Sequence, residues 1–454
     1  MQAFEDIPGP SQLPILGNAL SFASKNRLQW MAGLSAQYGR LIRLRFLNKR
    51  VILLQDPQWI QYVLQKNYKN FSKKGRSLDK GRVILGNGLF TNEGESWRKQ
   101  RKLAQPAFYK QKLEGIAQIM IDCIQEMLDN WALEAAANRP IDLAKEMMRL
   151  TLNVVTKAMF SSSLSKAEFE LFAQTFPDIL KETNRRILNP LTDLNIPTSK
   201  VSLHYERMIK DLDAIIYRMI EDRRQRKQPY NDLLGMLMSA VEEDGNTRMS
   251  EKQLRDEVMT IFLAGHETTA QALCWAFYLL HQHPAIQQQL DTEINAVLGQ
   301  DPPTAADYRR LPYTIKVIKE TLRLYPPVAL YLRCTIQPFE MAGYHIPSET
   351  RFIIPPYMLH RDPAYWEQAD RFDPERFSAE REKQRPKFVY FPFGGGPRIC
   401  IGNNFAMMEA VFALSMIFQK FQVKLIAPEK VAIDYTLTLR PKNGMPAKLL
   451  AKVP

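Results

Sequence analysis

Cysteine is scarce in this chain. Its 454 residues hold four, Cys123, Cys274, Cys334 and Cys400, widely separated and without a C-x-x-C pair. That excludes a dense disulfide framework, disfavours a structural zinc site and fits a reducing compartment. Long apolar runs are missing too. The N-terminal stretch MQAFEDIPGPSQLPILGNAL has nothing near the ~20 apolar residues that span a bilayer, and it lacks the basic-then-apolar order of a signal peptide. The expectation is a cytoplasmic protein with no membrane span. No Gly/Ser linker, low-complexity block or solenoid-period repeat interrupts the chain. A length that alone suggests about three domains is therefore read as one domain over residues 1–454, led by an extended proline-rich segment over about 1–20.

What is present is an ordinary globular balance, 45% hydrophobic and 24% charged, enough to bury a large core. Lys and Arg (61) exceed Asp and Glu (48) by 13, which favours an acidic partner, an anionic cofactor or a polyanion without choosing among them. The run Arg223, Arg224, Arg226 and Lys227 would suit nucleic acid. Beside Gln228-Pro229 it reads more simply as a solvated helix end, and no nucleic-acid partner is expected.

Residues 41–54 place two β-rich runs either side of Asn48-Lys49, a hairpin pattern. From about 56 to 325 the 3.6-residue period dominates. Its clearest element runs from Ser250, which forms a capping box with Gln253, to His283, where Pro284 stops it. Such a helix is about 50 Å long, enough to cross a domain. Past Pro326 come short strands and turns, then one last helix after Gly402. The fold class is α+β, mainly helical, with a long central helix and a smaller β-rich part.

The most informative segment is Phe391 to Glu409, FPFGGGPRICIGNNFAMME. Three glycines and a proline precede a single Cys just ahead of a helix. Glycines permit positive φ and close backbone approach, so the loop can wrap beneath a flat object and aim N–H groups at a sulfur. A thiolate there is stabilised by those amides and by the helix N-terminus. On residues alone, Cys400 is a thiolate ligand, a buried small hydrophobe or a nucleophile. The last needs a partnering His, and none of the six histidines lies in a segment resembling a Cys-hydrolase site.

Phe393 to Gly402, FGGGPRICIG, matches F-x-x-G-x-R-x-C-x-G at every fixed position and resembles the haem-ligand loop of the cytochrome P-450 family, the haem-thiolate monooxygenases. The resemblance implies that Cys400 is the axial thiolate to the iron of haem b (iron protoporphyrin IX), that Phe393 packs beside the sulfur, and that Arg398 bonds a haem propionate. Trp97 and Arg101 match the family's W-x-x-x-R helix, Arg333 its third propionate arginine, and Gly402 closes the loop motif. Glu320, Arg323 and Arg376 resemble its buried charge triad, a structural device. Ala264 to Thr269, AGHETT, resembles its oxygen-binding and proton-delivery motif, with Glu267 and Thr268 as the acid and alcohol that relay protons while O₂ is reduced by two electrons. A Gly and two threonines are poor helix formers, so a local widening or kink is expected there, with His266 at the helix surface. The implied fold is that of a cytochrome P-450, its central helix lying over the haem.

No flavin or nicotinamide domain is left for in 454 residues, so electrons from NAD(P)H are expected through a separate ferredoxin or flavodoxin and its reductase, drawn to a basic surface that includes Arg98, Lys99, Lys102 and Arg398. The resemblance lines a distal pocket with the segment from Phe71 to Phe90, residues 174–215, Ile261 to Thr268, residues 328–332 and Thr436 to Leu439. These are largely apolar and imply a lipophilic substrate, with Arg76, Arg82, Arg185 or Arg186 available to a carboxylate head. Fatty acid or long-chain lipid hydroxylation is the first expectation and a terpenoid the second. A haem-thiolate binding or sensor protein without turnover is the alternative.

Overall fold

Val51, Ile52, Leu53 and Leu54 form an unbroken apolar run, as a strand buried on both faces requires. In the computed structural model, which describes residues 2–24, 26–189, 200–226, 232–239, 249–435 and 437–452, that run is the second strand of the expected hairpin. Leu41–Phe46 pairs antiparallel with Lys49–Leu54. The turn is Leu47-Asn48, one residue earlier than the pattern suggested, with Leu47 at φ +55°.

The chain divides into two compact units, Met1–Leu78 with Leu322–Cys400, and Asp79–Thr321 with Ile401–Pro454. The first holds a five-stranded sheet in the order Leu41–Phe46, Lys49–Leu54, Arg351–Ile354, Tyr331–Thr335, Phe71–Ser72. Only the pairing of Lys49–Leu54 with Arg351–Ile354 is parallel. Side-chain alternation sends Ile52, Leu54, Phe352 and Ile354 into one apolar layer with Ile60 and Phe391. The opposite face sends Val51, Leu53 and Ile353 against Met31, Leu34 and Leu44. The buried Arg323 ties down the chain before the cysteine loop, donating to the carbonyls of His360 (2.7 Å), Ala369 (2.6 Å) and Arg371 (3.0 Å). Arg376 adds a bond to Gln368 O at 3.0 Å.

The second unit is helical, its longest elements being Lys110–Ala136, Leu143–Phe160, Lys166–Leu188, Lys200–Gln225, Glu251–Gln282 and Asn403–Lys420. The central helix Glu251–Gln282 begins where Ser250 Oγ accepts the Gln253 N–H at 3.2 Å. It is buried nearly all round because neighbouring elements cover it, polar positions such as Asp256, Glu257 and Glu267 included. Gly265 lets Leu143–Phe160 come close, since a Cβ there would stand 2.8 Å from Val155 Cγ2. A C-terminal hairpin, Ile433–Tyr435 with Leu439–Pro441, is tied to the helix by Trp275 Nε1–H donating to Leu439 O at 3.0 Å.

Arg224 and Arg226 are exposed at the end of Lys200–Gln225, as a solvated helix end requires. Arg223 departs from that expectation: it is buried and forks onto both oxygens of Asp232 at 2.7 and 2.5 Å, with a third bond to Phe160 O. A buried guanidinium needs this full pairing, and Asp232 supplies it from the head of Leu233–Ser239. Lys227 to Asn231, residues 190–199 and Thr436 lie outside the described residues. No helix among the described residues is long and apolar enough to cross a membrane.

Candidate functional site

The cysteine loop takes its shape from its glycines. Gly394 and Gly396 sit at φ +75° and +67°, and a Cβ on Gly396 would lie 1.9 Å from Leu64 O. Leu64 belongs to a π-helical turn, Tyr62–Lys66, whose wider ladder ends in Asn67 N–H donating to Tyr62 O at 2.8 Å. At Gly395 a Cβ would meet the Phe388 ring at 2.3 Å. The loop closes with Cys400 N–H donating to Phe393 O at 2.9 Å.

Two side chains hold the entry to this loop. Phe391 N–H donates to His360 Nε2 at 3.0 Å, and the Tyr331 hydroxyl donates to Pro392 O at 2.8 Å. Burial, with the charges of Arg323 and Arg361, pushes His360 well below the usual imidazole range, so it stays neutral and its Nε2 lone pair accepts the amide. Burial likewise raises the Tyr331 phenol. Neither residue was singled out from the sequence, since a histidine thirty-one positions upstream carries no local signal.

Cys123, Cys274 and Cys334 are buried while Cys400 is exposed. Burial pushes the Cys123 thiol up to about 12 and Cys274 higher still, so those two are inert. An accessible thiol on a loop with three consecutive glycines, just before the helix Asn403–Lys420 in the sequence, would suit a soft ligand to a haem iron. Phe393 and Arg398 are half-buried in that loop, and Arg333 lies on Tyr331–Thr335 with Nη1 on Leu332 O at 2.8 Å. In the other unit, Trp97 is buried and Arg101 half-buried one turn apart on Gly94–Ala104. Arg98, Lys99 and Lys102 on that helix are exposed, and Arg98 is paired with Glu95. Gly402 caps Asn403–Lys420, where a Cβ would touch the Phe108 ring at 3.6 Å.

On the central helix, Ala264 is exposed and Thr268 half-buried, and the Thr268 hydroxyl donates to Ala264 O at 2.9 Å. The Thr269 hydroxyl likewise donates to Gly265 O at 3.3 Å. These back-bonds leave the ladder α-helical from 251 to 282, so the expected widening is absent, and Gly265 is explained by the close approach of Val155 instead. His266 is not at the surface either. It is fully buried among the rings of Phe172, Phe176 and Phe262, with Nδ1 bonded to Phe262 O at 2.8 Å, and burial lowers it to about 4. Glu267 is buried with Oε1 accepting the Thr438 hydroxyl at 2.7 Å. Burial raises its carboxyl despite that donor and the Arg440 charge, so a proton is retained at higher pH than on an exposed Glu.

The acidic pair Asp256 and Glu257, about three turns earlier on the same helix, was not singled out from the sequence. Asp256 accepts the Asn87 N–H at 2.8 Å and Glu257 Oε2 the Leu89 N–H at 3.0 Å. Gly86 and Gly88 let the segment lie flat on the helix, since a Cβ would fall 2.0 Å from the Asp256 carboxyl or 2.1 Å from Thr260 Oγ1. Burial pushes Glu257 up to about 8. Three consecutive charged residues, Arg255 to Glu257, between Leu254 and Val258 were the available signal. The arginines considered for a substrate carboxylate are mostly engaged. Arg185 forks onto Glu182 at 2.6 and 2.7 Å, and Arg186 bonds the same carboxylate and stacks on Tyr205. Arg82 donates to Thr91 O at 3.1 Å.

These features can be set beside known proteins. The family model for cytochrome P-450 matches residues 7–447. The chain is 35% identical to cyclooctatin synthase of Streptomyces melanosporofaciens over 98% of its own length and 94% of that protein's. It is 30% identical to pentalenene oxygenase of Streptomyces avermitilis, over 98% and 97%. The crystal structure of the cytochrome P-450DA heme domain superposes with a TM-score of 0.89 at 26% identity, covering 99% of this chain and 98% of that one. The chain belongs to the cytochrome P-450 family of haem-dependent monooxygenases.

Proposed function

We propose that this protein inserts one oxygen atom of O₂ into a terpenoid, with the whole chain acting as one catalytic domain. The observation that carries the reading is that relatives matching almost its entire length are named for cyclooctatin and pentalenene, and another, 30% identical over 91% of the chain, for 5-oxygenation of cyclooctat-9-en-7-ol. The engaged arginines support it. With Arg185 and Arg186 sharing Glu182 and Arg82 on a backbone carbonyl, these arginines are already engaged within the protein, which favours terpenoid over fatty acid.

When bound, haem supplies the iron at which O₂ is activated. Cys400 Sγ would be its thiolate ligand, and the glycine loop would leave room for it. Arg398, Arg333, Arg101 and Trp97 would bind its propionates, arginine because its planar fork matches a carboxylate. Glu267 stores a proton inside the protein and the Thr268 hydroxyl passes one on. Electrons come from NAD(P)H through an acidic ferredoxin or flavodoxin.

The test is absorbance spectroscopy of the haem-loaded protein. Reduction under carbon monoxide should give the long-wavelength Soret band of a thiolate-ligated haem. Titration with cyclic terpenes and terpene alcohols should then shift the ferric spin state, while fatty acids leave it unchanged. A shift by fatty acids alone would overturn the terpenoid assignment, and turnover absent with every donor would favour a sensor.

A further inference from the structure

Glu267 has a partner outside the AGHETT segment. Its Oε1 accepts the hydroxyl of Thr438 at 2.7 Å, both residues being buried, at 6% and 8% exposure. Thr438 is held in place for this. It directly precedes Leu439–Pro441, and Leu439 O is fixed by Trp275 two turns further along the same helix. The adjoining Arg440 is paired with Asp434 across the hairpin at 3.0 Å. The C-terminal hairpin thus meets the central helix at two points, one structural and one ending on the acid.

We propose that Thr438 is a positioning residue for oxygenation: by donating to Glu267 Oε1 it fixes that oxygen as the acceptor and leaves Oε2 as the atom that carries the transferable proton. The inference rests on the reading of Glu267 and Thr268 as a proton relay. A carboxylic acid has one O–H and one carbonyl oxygen, and without an external donor the two exchange roles by rotation. With the Thr438 hydroxyl on Oε1, the acid has one orientation. Oε2–H then gives its proton to the Thr268 oxygen while the Thr268 hydroxyl proton moves on toward the oxygen being reduced. The carboxylate left behind is stabilised by the Thr438 donor and the Arg440 charge, and a solvent proton restores the acid. The charge that acts on the Glu267 carboxyl is that of Arg440, which is itself paired with Asp434.

The experiment compares Thr438→Val, which keeps the shape and removes the donor, with Thr438→Ser, which keeps the donor, and with Glu267→Gln. In haem-loaded enzyme with substrate and electron donor, the Val variant should form several-fold less product per electron pair, with the balance appearing as peroxide. The Ser variant should restore coupling. Independently of turnover, the Glu267 carboxyl resonance in ¹³C-Glu-labelled protein, assigned by its loss in Glu267→Gln, should titrate at higher pH in Thr438→Val than in the parent, because a donor to the ionised form has gone. A Val variant with parental coupling and an unmoved titration would overturn the assignment of Thr438 while Glu267→Gln remained uncoupled. Parental coupling in Glu267→Gln would overturn the relay, and the positioning role with it. A folding defect in Val is recognised by loss of coupling in Ser as well, which would likewise overturn the role of the hydroxyl.

Discussion

At the scale of single residues, burial separates the ionisable side chains of this chain: Cys400 is exposed, whereas Glu257 and Glu267 are enclosed. Cys400 is the exposed member of four cysteines. Cys400→Ser replaces a soft thiolate by a hard alcohol, so the reduced carbon monoxide complex should lose its long-wavelength Soret band and turnover should cease. Keeping both would remove Cys400 as the ligand. Glu257 is enclosed without a cation, and its folded pKa of about 8 stands above that of an exposed carboxyl. Its contribution to stability is therefore fully present below pH ~4 and is lost as pH rises to about 8. Glu257→Gln keeps an acceptor for Leu89 and removes the charge, so at pH 9 it should be more stable than the parent by on the order of 1–3 kcal/mol, with no gain at pH 5. Thermal unfolding at both pH values checks this, and an equal change at each would show that ionisation of Glu257 is not the cause.

At the scale of elements, the cysteine loop and the central helix show what a sequence reveals. Both were legible because their residue types are costly anywhere else: three glycines beside a lone cysteine, and a glycine with two threonines inside a helix. The helix ends were legible because caps and prolines act locally, through Ser250, Gln253 and Pro284. What lay beyond reach was set by distant partners. Gly265 reads as helix weakness until Val155 is seen against it, His266 as a surface group until three phenylalanines enclose it, and Glu267 as a partner of its neighbour until Thr438 appears. The glycine loop makes its own prediction. Gly396→Ala forces a Cβ onto Leu64 O from a left-handed backbone, and should cost about 2–4 kcal/mol or abolish haem retention. Gly33→Ala, in a helix with nothing within 4 Å of the new Cβ, should be neutral or stabilise by up to about 1 kcal/mol. Calorimetry and haem content of the two variants check the contrast, and equal losses in both would remove the steric argument.

For the whole molecule the excess of 13 positive charges becomes a statement about rates. An acidic electron donor is steered to such a surface over distances that salt controls, the screening length falling from about 30 Å at 0.01 M to about 8 Å at 0.15 M. The second-order rate of reduction should fall several-fold over that range, and Lys99→Glu with Lys102→Glu should flatten the dependence. Stopped-flow reduction at a series of salt concentrations measures it, and a salt-independent rate would place the docking surface elsewhere.

The cysteines of this chain also form an internal gauge. Cys123, Cys274 and Cys334 are sealed inside the fold, whereas Cys400 is exposed. An alkylating reagent added to the folded protein therefore finds a single target, the same sulfur that is proposed to bind the haem. The fraction of molecules escaping one added label, read by mass spectrometry, counts haem-loaded protein without any use of colour or catalysis. It also makes premature oxidation of that sulfur, before the cofactor arrives, the most direct route by which newly made protein is lost.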